Sequence, residues 1–89
     1  MAQWKGRVAL ITGASSGIGE ATADALASCG LRIALTARRE DKLQAIADRL
    51  KSAGANCLPL KADFGIEEEI LSVFQAIRNQ WGGVDTLVN

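Results

Sequence analysis

Apolar residues along this chain follow two alternating patterns. Short apolar runs at residues 7–11, 31–36, 56–61 and 84–88 have the length and composition of buried strands. Between them, apolar positions return every three or four residues, the spacing of one helix face. Over residues 17–29 that stripe reads Ile18, Ala21, Thr22, Ala25, Leu26 and Cys29, and Gly30 follows it as a left-handed stop. A second helix carries Leu43, Ile46, Ala47 and Leu50. Glu40 and Asp41 lie at the positive end of its dipole, and Gly54 ends it. A third opens after Gly65 with Glu67, Glu68 and Glu69. Its expected buried face is Ile70, Phe74, Ile77 and Trp81, and Gly82 and Gly83 stop it.

Strand and helix alternate with no linker, repeat or low-complexity tract between them. Right-handed crossovers turn such an alternation into a parallel sheet with helices on both faces. The expected architecture is α/β, a Rossmann-like doubly wound parallel sheet whose first four strands lie 3-2-1-4. Pro59 agrees with that order. A proline lacks the ladder donor, and this order puts the third strand at an edge.

The chemistry concentrates between the first strand and the first helix, in Thr12-Gly13-Ala14-Ser15-Ser16-Gly17-Ile18-Gly19. Gly13 can adopt backbone angles closed to other residues. The absent side chain at Gly17 lets a phosphate approach the backbone, and Gly19 lets the helix lie close to the strand. Free N–H groups and the dipole at the helix start make an anion site. No Gly-Lys-Ser/Thr follows, which excludes the P-loop of nucleotide triphosphatases.

The spacing Thr-Gly-x-x-x-Gly-x-Gly resembles the cofactor turn of the short-chain dehydrogenase/reductase family, and Thr12, Gly13, Gly17 and Gly19 match every fixed position. The resemblance implies a dinucleotide cofactor, with Ser15, Ser16 and Ile18 offering hydroxyl or backbone donors to its ribose and diphosphate, and Thr12 steadying the turn. In such folds an acid at the end of the second strand signals NAD, and a nearby Arg signals the 2′-phosphate of NADP. Here Ala37 stands where NAD-preferring members carry Asp, and Arg38 and Arg39 follow it. A guanidinium contact of about 1.5–3 kcal/mol implies a roughly ten- to hundredfold preference for NADP. The resemblance further assigns Asp63 and Phe64 to the adenine. It matches Asn89 to the first residue of the Asn-Asn-Ala-Gly motif beside the ribose. The plainer readings are that Arg38 and Arg39 are solvated charges, Asp63 a cap of the third helix, and Asn89 a turn residue.

Composition narrows the rest. Ten basic side chains balance ten acidic ones, which argues against a nucleic-acid surface. No apolar run is long enough to span a bilayer, so no membrane partner is expected. Cys29 and Cys57 have no metal-ligand spacing and read as reduced structural thiols, which fits the cytoplasm. There is no histidine and no tyrosine. The family's catalytic Tyr, Lys and Ser, and a further Asn, would lie beyond this stretch. Residues 1–89 therefore read as an NADP-binding half-domain cut short of the catalytic half and inactive alone, with no catalytic residue of its own. Homo-oligomers are expected only of a complete family member. The alternative is a stand-alone nucleotide-binding or regulatory module that dimerises through an exposed fourth strand. A Rossmann-like protein for another ligand, such as a methyl donor, is disfavoured by Arg38 and the glycine pattern.

Overall fold

Seven elements alternate in the computed structural model, which describes residues 5–14 and 16–88. They are β1 (Val8–Thr12), α1 (Gly17–Ser28), β2 (Arg32–Ala37), α2 (Glu40–Ser52), β3 (Cys57–Lys61), α3 (Glu67–Trp81) and β4 (Thr86–Val88). The strands form one parallel sheet in the order β3-β2-β1-β4, as the sequence predicts. β1 pairs with β2 from Val8↔Arg32 to Thr12↔Thr36, and with β4 from Ala9↔Thr86 to Ile11↔Val88. Among the described residues β3 pairs only with β2, so Pro59, opposite Leu35, sits on an edge strand.

Because side chains alternate along a strand, each face of the sheet builds its own core. Ala9, Ile11, Ile33 and Leu35 meet α1 and α2, while Val8, Leu10 and Ala34 meet α3. The four apolar positions of α2 are all buried, in agreement with its stripe. Arg49 ties that helix to α1 through Glu20 at 2.7 Å and Asp24 at 2.8 Å. Just before β4, Asp85 pins that strand to β1. Its carboxylate accepts the Val8 N–H at 2.8 Å, and its own N–H donates to the Val8 carbonyl at 2.9 Å.

Two helices present faces other than those expected. α1 buries Gly19 and Ala23, with Leu26, Ala27 and Cys29 packed at the margin, whereas Ile18 is 82% exposed and Ala21 and Ala25 face solvent. The helix lies so near the sheet that the contact line takes small residues, and the larger apolar ones fall beside it. α3 buries Val73 and Ile77. Trp81 is half-buried against that core and Ile70 is half-buried, but Phe74 is 36% exposed. Among the described residues one helix covers this face of the sheet, so the flank of α3 carrying Phe74 and Leu71 has no neighbour.

Both cysteines are free, and burial pushes the Cys57 thiol up to about 11. The folded state holds this thiol neutral, so its contribution is complete below pH 9 and declines as pH rises toward 11. Cys57 is expected to resist alkylation at pH 8 in the folded chain and to react fully in denaturant, as intact mass spectrometry would register. Equal labelling in both states would contradict the burial.

Candidate functional site

The C-terminal ends of β1, β2 and β3 border a cleft of about 400 Å³. Its first wall is the turn after β1. Gly13 takes φ +65°, a left-handed conformation that glycine adopts without strain. The next amide, Ala14 N–H, donates to the Thr36 carbonyl at 3.1 Å and so fastens the turn to the end of β2. Ser16 N–H then donates to the Gly13 carbonyl at 3.1 Å. Ser16 is the N-cap of α1, and its Oγ accepts the Gly19 N–H at 3.1 Å. Helix geometry leaves the N–H groups of Gly17 and Ile18 with no intrahelical acceptor, at the positive end of the dipole. Thr12 acts toward the sheet, its hydroxyl donating to the Val88 carbonyl at 3.3 Å.

Gly17 and Gly19 differ in what they allow. A Cβ at Gly19 would lie 2.6 Å from the Gly13 carbonyl oxygen and 3.0 Å from Ala14 Cα, so the fold itself demands glycine there. A Cβ at Gly17 would meet nothing within 4 Å. The fold leaves that space open, beside the amides that have no intrahelical acceptor, as an anion cradle requires.

The second wall follows β2. Ala37 is buried, and Arg38 and Arg39 are exposed at the cleft's rim. Arg39 pairs with Asp41 at 3.3 Å across open solvent, a contact of little energy. Among the described residues Arg38 makes no ion pair. Among the described residues no carboxylate lines the cleft from the end of β2.

The third wall is the loop after β3, fastened to β2 where Ala62 N–H donates to the Ala37 carbonyl at 3.1 Å. Asp63 does not cap α3. The cap position is Ile66, without a side-chain bond, and Asp63 Oδ1 instead accepts the Gly65 N–H at 2.8 Å. Phe64 is half-buried and packs its ring toward the α3 core.

Gly13, Ser16, Arg38, Arg39, Asp63 and Phe64 therefore share one cleft. Gly17, Ile18 and Gly19 open the helix at its side without lining it, and Ser15 and Asn89 lie outside the described residues. Two features escaped the sequence reading. One is the capping role of Ser16, whose signal was a Ser just before the apolar period. The other is Glu69, whose Oε1 accepts the Asp63 N–H at 3.0 Å. No group of His, Cys, Asp or Glu among the described residues is arranged to hold a metal.

A parallel sheet with strand order 3-2-1-4 and a glycine turn opening its first helix defines a Rossmann-like fold. The chain belongs to the family described as short chain dehydrogenase, which matches residues 7–89. It is 47% identical to the chicken (Gallus gallus) protein named dehydrogenase/reductase SDR family member 11, over all of this chain and 36% of that protein. L-sorbose reductase from Gluconobacter frateurii, complexed with NADPH and L-sorbose, superposes with a TM-score of 0.92 at 42% identity, covering 96% of this chain and 33% of that one. A short chain dehydrogenase/reductase from Burkholderia phymatum in complex with NAD gives the same TM-score, 0.92, at 33% identity, covering 98% and 31%. The chain thus spans about a third of the length of these proteins. Among the described residues no helix is long and apolar enough to cross a membrane.

Proposed function

We propose that residues 1–89 form the NADP-binding portion of a short-chain oxidoreductase. When bound, NADPH would supply the hydride exchanged with a carbonyl or alcohol substrate in the complete protein. The observation that carries the choice of NADP is Arg38, without an ion pair among the described residues, at the rim of a cleft whose β2 end carries Ala37 and no acid. Arg38, with Arg39 beside it, would hold the 2′-phosphate. The amides of Gly17 and Ile18, with Ser15 and Ser16, would hold the diphosphate and ribose. Asp63 and Phe64 would border the adenine, and Asn89 the cofactor ribose. The similar L-sorbose reductase was solved with NADPH and the Burkholderia protein with NAD, so the preference rests on this chain's own residues. A cytoplasmic location accords with two thiols left free.

Calorimetric titration of the chain with NADPH and NADH tests the reading. NADPH is expected to bind roughly ten- to hundredfold more tightly. The pair Ala37→Asp and Arg38→Leu is expected to reverse the order, and an unchanged ratio of the two dissociation constants would refute the assignment. With no tyrosine in the chain, binding is expected without carbonyl reduction.

A second reading is favoured by one observation. Among the described residues β4 pairs on one side only and leaves Leu87 48% exposed, which suits a nucleotide-binding or regulatory module that dimerises along this edge. Concentration-dependent dimerisation in sedimentation would support it, and a monomer at every concentration would remove it.

A further inference from the structure

A Glu at the third position of a helix ordinarily reaches back to the cap residue's N–H. Here that amide, Ile66 N–H, is already taken by the Asp63 carbonyl at 3.0 Å. Glu69, at that third position of α3, reaches past the cap instead, and its Oε1 accepts the Asp63 N–H at 3.0 Å in a part-buried setting. Asp63 is consequently held at three atoms. Its N–H goes to Glu69, its carbonyl to Ile66 N–H, and its Oδ1 to Gly65 N–H at 2.8 Å. Among the described residues Oδ2 has no partner, and Asp63 lines the cleft.

Of these three bonds, two are local: a backbone turn to Ile66 and an Asx turn to Gly65. The Glu69 bond is the one that ties the Asp63 backbone to the body of α3, whose Val73 and Ile77 are anchored in the core. Like the bond from Gly65 N–H to Asp63 Oδ1, it has a carboxylate acceptor, and such charge-assisted bonds are stronger than neutral ones. Without it, the loop between β3 and α3 could rotate about the Asp63 peptide and swing the carboxylate out of the cleft wall.

We propose that Glu69 is a positioning residue that sets the orientation of Asp63 and thereby the cleft's selectivity for an adenine base. This rests on the reading of the cleft as a dinucleotide site in which the Asp63 carboxylate accepts from the exocyclic amino group of adenine. A hypoxanthine base has a carbonyl oxygen in place of that amino group, which repels a carboxylate there, and its nearest donor moves to the ring N1–H, out of the position that Asp63 is held to meet. The probes are therefore NADPH and its reduced hypoxanthine analogue, titrated against the full chain and its E69A and E69Q variants.

The wild-type chain is expected to prefer NADPH by about tenfold. E69A is expected to cut that preference to about twofold while changing affinity for the analogue less than twofold. Gln keeps an acceptor oxygen at the same reach, so E69Q is expected to restore most of the preference. General damage to the fold would weaken both ligands together and leave the ratio intact. A wild-type chain that binds neither ligand overturns the dinucleotide site and this role with it. A wild type that binds both equally overturns the adenine contact and the positioning role. An E69A chain with the wild-type ratio overturns the role of Glu69 alone and leaves the site standing. Should E69A fail to fold, hydrogen exchange at the Asp63 amide of the wild type decides: slowing of tenfold or more supports the bond, and exchange at the free rate overturns it.

Discussion

Gly19→Ala is expected to lower the thermal midpoint of the chain by 10 °C or more, against the ordinary sign of a glycine-to-alanine change in a helix. Within a helix that change usually stabilises by up to about 1 kcal/mol, because alanine has the better propensity. Here the added methyl would sit 2.6 Å from the Gly13 carbonyl oxygen, and 3.1 Å from Ser16 Oγ. The first of these is backbone that is itself fixed, since the same carbonyl accepts the Ser16 N–H and the neighbouring Ala14 N–H is bonded to Thr36. Neither side can yield without opening the turn. Overpacking of this kind costs roughly 1–3 kcal/mol, and losing the Ser16 cap adds about 1 kcal/mol. In a domain of this size each kcal/mol moves the midpoint by roughly 4–8 °C. Circular dichroism melting of the two chains measures the shift. A midpoint equal to or above that of the wild type would mean that α1 does not approach the turn as closely as described.

The same closeness explains where the sequence was legible and where it was not. Gly30, Gly54 and Gly82 take positive φ at the helix ends that the pattern assigns them, and all four apolar positions of α2 are buried. Pro59 located the sheet edge, because one missing donor is a constraint that no packing can relax. The faces of α1 and α3 were less legible. Periodicity weighs residues by hydrophobicity, whereas α1 meets the sheet through Gly19 and Ala23, chosen for size. On α3 both Phe74 and Val73 fit the period, and what separates them is whether a neighbouring element covers them.

For the cleft, strand order alone brings Gly13, Arg38 and Asp63 together, because the ends of three adjacent parallel strands lie side by side. Their fastenings left no such trace. The bond from Ala14 N–H to the Thr36 carbonyl is backbone to backbone and has no residue signature. Glu69 is one of three consecutive acids that favour the helix dipole equally, and only the folded loop singles it out.

Gly17→Ala is expected to do the reverse of Gly19→Ala: to leave the fold intact and weaken NADPH at least tenfold. Gly17 opens α1 without a positive φ, and a Cβ there meets nothing within 4 Å. Alanine at such a position stabilises by about 0.4–1 kcal/mol through the unfolded chain, so the melting midpoint is expected to hold or rise slightly. The space that the methyl would fill is the space through which a diphosphate would reach the amides of Gly17 and Ile18. A tenfold loss corresponds to about 1.4 kcal/mol, less than one charge-assisted hydrogen bond at the upper end of its range. Titration of both glycine variants with NADPH, beside their melting curves, separates the two roles within one turn. Weak binding with an unchanged midpoint at position 17 would mean that the glycine serves the ligand and not the fold. Binding as tight as the wild type would instead mean that no phosphate approaches there, and the turn would lose its part in holding a dinucleotide whatever Arg38 contributes.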